Sequence, residues 1–89
     1  MSAIASELDL RSMHRHSSGH RQEIQQSGLC GCFYCEETFT PETIKEWIDD
    51  EQTALCPRCG IDSVLGDRAN KLATDRAFLH QMHQFWFEK

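Results

Sequence analysis

The sequence predicts one small α+β domain, and three observations support this fold class. Two Cys-x-x-Cys pairs are separated by 20 residues, a spacing typical of a compact cysteine-bound metal site. Residues 53–55 and 61–65 have the short apolar and β-branched runs of a β-hairpin. Residues 74–87 carry apolar side chains at helical spacing. At 89 residues, 39% of them hydrophobic, the chain has room for one modest core that a metal ion would stabilise.

The two cysteine pairs suit a zinc ion in spacing and in local sequence. A tetrahedral site with Zn–S bonds of about 2.3 Å places its sulfurs roughly 3.8 Å apart, and two intervening residues let a tight turn present both thiolates at that distance. In the second pair, Pro57 presets the turn and Gly60 can adopt a positive φ after it. In the first pair, Glu36 stands where glycine is easiest. We expect one Zn²⁺ per chain, with the ligands Cys32, Cys35, Cys56 and Cys59.

Four cysteine ligands would close the coordination sphere of the metal. Catalytic zinc usually has three protein ligands and an open position, so the sequence favours a structural site in a protein that is not an enzyme. Iron is the alternative metal, because two such pairs also suit a rubredoxin-like electron carrier. Cys30 or a histidine could replace one of the four ligands. The two-residue spacing assigns Cys32 to the metal and leaves Cys30 as a spare, inert thiol.

The N-terminal part of the chain is polar and weakly patterned. We expect residues 1–13 to be a poorly ordered or marginally helical extension, and residues 14–89 to form the single zinc-binding domain. Within that domain, residues 17–27 predict a short helix that a serine caps and Gly28 ends.

A second helix is predicted between the two cysteine pairs. Thr40 is a good N-cap, Pro41 suits the first helical position, and the apolar residues that follow have helical spacing. We expect this helix to end near Asp50 and to present an acidic outer face. Its buried residues would be Ile44, Trp47 and Ile48.

The remainder of the chain predicts a short β-hairpin and a C-terminal helix. Residues 53–55 lead into the second cysteine pair as a strand, and residues 61–65 return as its partner. A helix from Thr74 or Asp75 to Phe87 has a continuous apolar stripe, which we expect to dock onto the metal-binding part. The stripe consists of Phe78, Leu79, Met82, Phe85 and Trp86.

Charge and hydropathy argue against several classes of function. Nine lysines and arginines against 14 aspartates and glutamates give a formal net charge of −5, which repels nucleic-acid phosphates. The sequence has no apolar run long enough to cross a membrane, and residues 1–16 lack a secretory leader pattern. Five cysteines, an odd number, fit a disulfide framework poorly, so we expect a reducing, cytoplasmic location.

The cysteine-rich block has a specific sequence beyond its spacing. It contains Cys-Gly-Cys-Phe-Tyr-Cys at residues 30–35, Phe-Thr-Pro at residues 39–41 and Thr-Ala-Leu-Cys-Pro-Arg-Cys-Gly-Ile-Asp-Ser-Val at residues 53–64. With residues 44–49 and the lead-in at residues 17–24, this block resembles a family of small bacterial proteins that are named only as cytoplasmic proteins. The resemblance implies a zinc-ribbon-like domain in the bacterial cytosol, and it implies no substrate.

These observations favour a zinc-binding, non-enzymatic protein-interaction or regulatory module with a protein partner. The acidic helix face or the aromatic C-terminal helix would provide the contact surface. One rival is nucleic-acid binding through Arg11, Arg15 and Arg21 with the histidines around them. The other rival is an enzyme or electron carrier: a His–metal nuclease that uses His20, or the rubredoxin-like protein.

Overall fold

Three helices and five short strands make up the part of the chain that the computed structural model describes, residues 7–88. The helices are α1 (Glu7–His14), α2 (Arg21–Gln25) and α3 (Arg76–Phe87). The strands are β1 (Cys30–Cys32), β2 (Thr38–Phe39), β3 (Trp47–Ile48), β4 (Thr53–Ala54) and β5 (Val64–Gly66). Turns of 3₁₀ helix cover Arg15–Ser17, Pro41–Thr43 and Lys71–Thr74. None of the helices in this range has the length and apolar character needed to cross a membrane.

Strand β1 is the centre of the larger sheet. It pairs antiparallel with β2 on one side and with β5 on the other, in the order β2–β1–β5. The register places Cys32 opposite Val64. Strands β3 and β4 form a separate antiparallel hairpin, in which Trp47 lies opposite Ala54. The fold is therefore α+β, as the sequence predicts.

The three-stranded sheet separates two apolar cores, because successive residues of a strand face opposite sides. On one side, Leu65 and Phe33 pack with α1 and α3. On the other side, Val64, Cys30 and Cys32 pack with residues of α2, the loops and β4. Consecutive apolar residues in β5 are thus buried on both faces, which is why this short strand has no polar alternation.

The helix α3 docks onto the first core, as its apolar stripe predicts. The side chain of Asp75 caps it by accepting hydrogen bonds from the backbone N–H groups of Ala77 (2.9 Å) and Phe78 (3.2 Å). Helix α1 packs against the same core through Leu10 and Met13, which are 6% and 5% exposed. The boundary expected between residues 13 and 14 falls inside α1, and residues 1–6 of the expected extension lie outside the described residues.

The prediction of a helix between the two cysteine pairs is wrong. After the 3₁₀ turn the chain forms the β3–β4 hairpin, and Ile48 is 38% exposed rather than buried. The residues at the hairpin turn, Asp49, Asp50 and Glu51, adopt φ values of 55°, 57° and 65°. This left-handed run ends any right-handed helix, and tertiary pairing overrides the weak helical preference of the preceding residues.

The strand pairing predicted around the second cysteine pair is also wrong. Strand β4 forms where expected, but its partner is β3. The returning segment forms β5 and pairs with β1, which carries the first cysteine pair. Val64 and Leu65 need cover on both faces, and only the sheet between the two cores supplies it.

Candidate metal centre

The two Cys-x-x-Cys segments fold into the same local structure. The N–H of Cys32 donates to the carbonyl of Glu37 and the N–H of Cys56 donates to that of Ile61, each at 3.0 Å. The turns close through N–H groups four residues on, Glu36 to Cys32 O at 2.8 Å and Gly60 to Cys56 O at 2.9 Å. Because this pattern repeats bond for bond, we call each segment a knuckle: residues 32–37 and residues 56–61.

Each knuckle also directs a backbone N–H at its first sulfur. The N–H of Tyr34 lies 3.3 Å from Cys32 Sγ, and the N–H of Arg58 lies 3.3 Å from Cys56 Sγ. These donors stabilise a thiolate, because a charged acceptor strengthens the hydrogen bond. The sulfurs are thus prepared by the backbone for the charged form that a metal requires.

The equivalent fifth positions of the knuckles both adopt a left-handed conformation. Gly60 has a φ of +79°, as its sequence position predicts, and Glu36 has a φ of 64°. The tight turn therefore demands a positive φ whether or not glycine is present. Glu36 tolerates the torsion at a cost, and its carboxylate lies 3.0 Å from Nδ1 of His80 on α3.

The two knuckles bring their four cysteines into one cluster. The Sγ atoms of Cys32, Cys35, Cys56 and Cys59 all lie within 4.8 Å of one another. Across the knuckles, Cys32 Sγ is 3.6 Å from Cys59 Sγ, and Cys35 Sγ is 3.7 Å from Cys56 Sγ. Edges of a tetrahedral Zn–S site are close to these values, given bonds of about 2.3 Å. The donor set and spacing could therefore hold a metal ion.

Cys30 does not belong to this cluster. Cys30 and Cys32 face the same side of β1, but the group of sulfurs that lie within 4.8 Å of one another consists of Cys32, Cys35, Cys56 and Cys59. Burial raises the pKa of the Cys30 thiol to about 12, with further contributions from the carboxylates of Asp67 and Glu42. The spare thiol is fully buried, and its raised pKa disfavours the reactive thiolate.

The cluster thiols differ in acidity. Burial raises the pKa of Cys35 to about 11, although a backbone hydrogen bond from Glu37 opposes it, and burial also raises the pKa of Cys59. For Cys56, burial acts in the same direction but hydrogen bonds from Arg58 and Cys59 outweigh it, so its pKa is lowered. Binding of a metal ion by these sulfurs would release thiol protons, so its affinity would depend on pH.

His20, the residue proposed for a His–metal nuclease, is buried and hydrogen-bonded through both ring nitrogens. His20 is 4% exposed, and its Nε2 accepts a hydrogen bond from the N–H of Ala54 at 3.0 Å. Its Nδ1 is bonded to the carbonyl of His16, so the proton must lie on Nδ1 and the ring is neutral. Burial lowers the pKa of His20. The ring thus links the 3₁₀ turn at Arg15–Ser17 to β4, a role that no sequence pattern indicates.

Three of the basic residues proposed for nucleic-acid contact, Arg11, His16 and Arg21, make contacts within the protein, and Arg15 is exposed. The guanidinium of Arg21 lies 4.5 Å from the ring centroid of Trp47 and donates to the carbonyl of Glu51 at 2.8 Å. His16 is 3.1 Å from the carboxylate of Glu23. Arg11 lies 5.6 Å from the ring centroid of Phe85. These contacts fix the helices to the body of the domain.

One polar residue near the cluster escapes sequence analysis altogether. The hydroxyl of Ser63 is buried and lies 3.1 Å from Cys32 Sγ. Nothing in the sequence marks this serine, because the β1–β5 pairing that brings it to the sulfur is not encoded locally.

No protein-family model, curated protein or solved structure matches the chain. The chemistry open to the cysteine cluster therefore follows from its donor atoms and their spacing.

Proposed function

We propose that the protein binds one Zn²⁺ through Cys32, Cys35, Cys56 and Cys59, and that this ion is structural. The observation that carries the proposal is the convergence of two identically hydrogen-bonded knuckles, whose four sulfurs lie within 4.8 Å. Four soft sulfur donors in a compact cluster favour zinc or iron over hard cations. Four protein ligands also complete a tetrahedral site, which leaves no position for substrate.

A structural role follows from what the knuckles connect. The first knuckle continues from β1 of the central sheet, and the second continues from β4 of the separate hairpin. An ion held by both would fix the hairpin to the sheet and close the second core around Cys32 and Cys56. Binding of zinc to such sites is worth about 10–16 kcal/mol and is coupled to folding.

The first experiment is metal analysis of protein purified without added metal. We expect one zinc per chain and a loss of helical circular dichroism on chelation. Cys56→Ala should abolish stoichiometric zinc. Cys30→Ala is the matched control, because it removes a buried cysteine outside the cluster and should retain the metal. Metal-free wild-type protein that remains folded would contradict the proposal.

Iron is the second candidate, because four cysteine sulfurs suit either metal. The N–H donors to Cys32 and Cys56 would stabilise the thiolates of a cysteine-bound iron as well as those of a zinc site. A coloured protein with stoichiometric iron and a reversible one-electron wave would establish an electron carrier. Stoichiometric zinc with no redox wave would eliminate it.

Beyond the metal, we propose a non-enzymatic interaction or regulatory module that works in the bacterial cytoplasm. A closed centre and a net charge of −5 support this assignment. Most of the apolar stripe of α3 packs into the core and is not free to contact a partner, since Phe78, Leu79 and Met82 are buried. The contact surface we favour is therefore the acidic hairpin, defined as the exposed residues Glu46, Asp49, Asp50 and Glu51.

Charge reversal tests the acidic hairpin as a contact surface. The double variant Glu46→Lys/Asp50→Lys should lose a protein captured by the wild-type domain, and the captured protein should present a basic surface. Glu88→Lys is the control, because it reverses an exposed carboxylate at the end of α3. Undiminished capture by the double variant would eliminate the acidic hairpin as the contact.

A further inference from the structure

We propose that the Ser63 hydroxyl donates a hydrogen bond to the metal-bound Cys32 thiolate and thereby tunes the metal centre; this rests on the metal binding proposed above. Ser63 is 1% exposed and Cys32 is fully buried, and their Oγ and Sγ atoms are 3.1 Å apart. A thiolate has no proton to give, so in the metal-loaded protein the hydroxyl is the donor.

The central sheet fixes the hydroxyl beside the sulfur. Cys32 lies opposite Val64 in the β1–β5 register, and the N–H of Phe33 donates to the carbonyl of Ser63 at 3.1 Å. The backbone on both sides of the Oγ–Sγ contact is therefore held by the β1–β5 ladder and its continuation. Such a hydroxyl is positioned before the metal arrives, so little ordering is needed to form the bond.

The hydroxyl breaks the equivalence of the two knuckles. Cys32 Sγ has two donors, the N–H of Tyr34 and the hydroxyl of Ser63. Cys56 Sγ has its N–H donor from Arg58, and within residues 7–88 no hydroxyl bonds to it. Water cannot solvate the negative charge of a fully buried sulfur, and the hydroxyl takes over that role. Hydrogen bonds to ligand sulfurs reduce their electron donation and set the properties of the metal.

Cobalt substitution gives a direct readout of sulfur donation. In Ser63→Ala loaded with Co²⁺, we expect the sulfur-to-cobalt charge-transfer band to move to longer wavelength, because the sulfur becomes more electron-rich. Zinc affinity, measured by competition with a chelator, should fall by about tenfold, the lower end of the usual effect of an outer-shell partner.

Ser27→Ala is the matched control. Ser27 is 8% exposed, and its hydroxyl bonds with the carbonyl of Glu23 at 2.9 Å and the N–H of Arg68 at 3.0 Å. Its loss removes a buried hydroxyl of the same kind without touching a metal-binding cysteine. We expect this variant to keep the wild-type cobalt spectrum. A band shift in Ser27→Ala equal to that of Ser63→Ala would overturn the inference.

The remaining outcomes also decide the matter. A wild-type cobalt spectrum in Ser63→Ala overturns the role of the hydroxyl while leaving metal binding intact. Failure of the wild-type protein to bind Co²⁺ or Zn²⁺ overturns the proposed function itself. If Ser63→Ala takes up no cobalt, the Ser63→Thr variant, which retains the hydroxyl, is tested instead. A wild-type charge-transfer band in Ser63→Thr supports the inference. Failure of Ser63→Thr to bind cobalt overturns the inference.

Discussion

Replacing Gly60 by alanine measures how much the metal centre depends on backbone conformation. Gly60 closes the second knuckle with a φ of +79°, and a Cβ built there meets no atom within 4 Å. The substitution is therefore free of steric collision, and its cost is the left-handed torsion alone, about 1–2 kcal/mol. Alanine also restricts the unfolded chain, which offsets about 0.4–1 kcal/mol. We expect a net loss of roughly 1 kcal/mol, or about fivefold in the folding equilibrium.

Urea unfolding of the zinc-loaded protein tests this magnitude. Gly60→Ala should lower the midpoint without changing the slope, because the same surface is exposed on unfolding. Gly28→Ala is the control: this exposed glycine has no positive φ, and the new Cβ would meet Asp67 Oδ2 at an ordinary 3.7 Å. Equal midpoints for the two variants would refute the torsional argument.

The first knuckle offers the reciprocal test. Glu36 occupies the equivalent position with a φ of 64°. Both Glu36→Ala and Glu36→Gly lose the contact with His80, but only glycine also relieves the torsion. We expect Glu36→Gly to be the more stable of the two by about 1 kcal/mol. A Glu36→Gly protein less stable than Glu36→Ala would contradict the strain assigned to this position.

Three further changes test the packing around the centre. Burial lowers the pKa of His20 below 6.5, so below that pH the unfolded chain binds a proton that the folded protein does not. The free energy of unfolding should therefore fall by up to about 1.4 kcal/mol per pH unit between pH 6.5 and the folded pKa. The fall should be steeper in the wild-type protein than in His20→Gln. Asp75→Ala should cost about 1 kcal/mol in thermal unfolding by removing the cap of α3, whereas Arg76→Ala should cost little. Gly31→Ala should cost more than Gly60→Ala in the same urea assay, because its Cβ would lie 2.1 Å from the carbonyl oxygen of Ala73.

The cysteine cluster was predictable from the sequence because its information is local. Two residues between cysteines, a proline and a glycine specify a turn, and a turn of this kind sets where the sulfurs point. The end of the chain was equally clear, since Asp75 and the apolar stripe after it encode both the start and the buried face of α3. In these places the short-range and tertiary preferences agree.

The middle of the chain was not predictable, because there the local and tertiary preferences conflict. Ile44, Trp47 and Ile48 have helical spacing, yet only Ile44, which lies before the hairpin, is buried, and the hairpin leaves Ile48 at the surface. The decisive feature is the left-handed turn that begins at Asp49. Aspartate tolerates a positive φ, but its presence in a sequence does not predict one. Cys32 and its strand partner Val64 are separated by 31 residues of chain, so no local pattern reveals their pairing.

The sheet that divides the two cores connects the cysteine cluster mechanically to the core on the opposite face. Cys32 faces the cluster, whereas its neighbour Gly31 lies against Ala73 and Leu79 beneath α3. Loosening one face of a single strand releases the other, so loss of metal should propagate across β1 as one cooperative event. Trp86, which packs against the opposite core, can then report the state of a site to which its helix contributes no ligand.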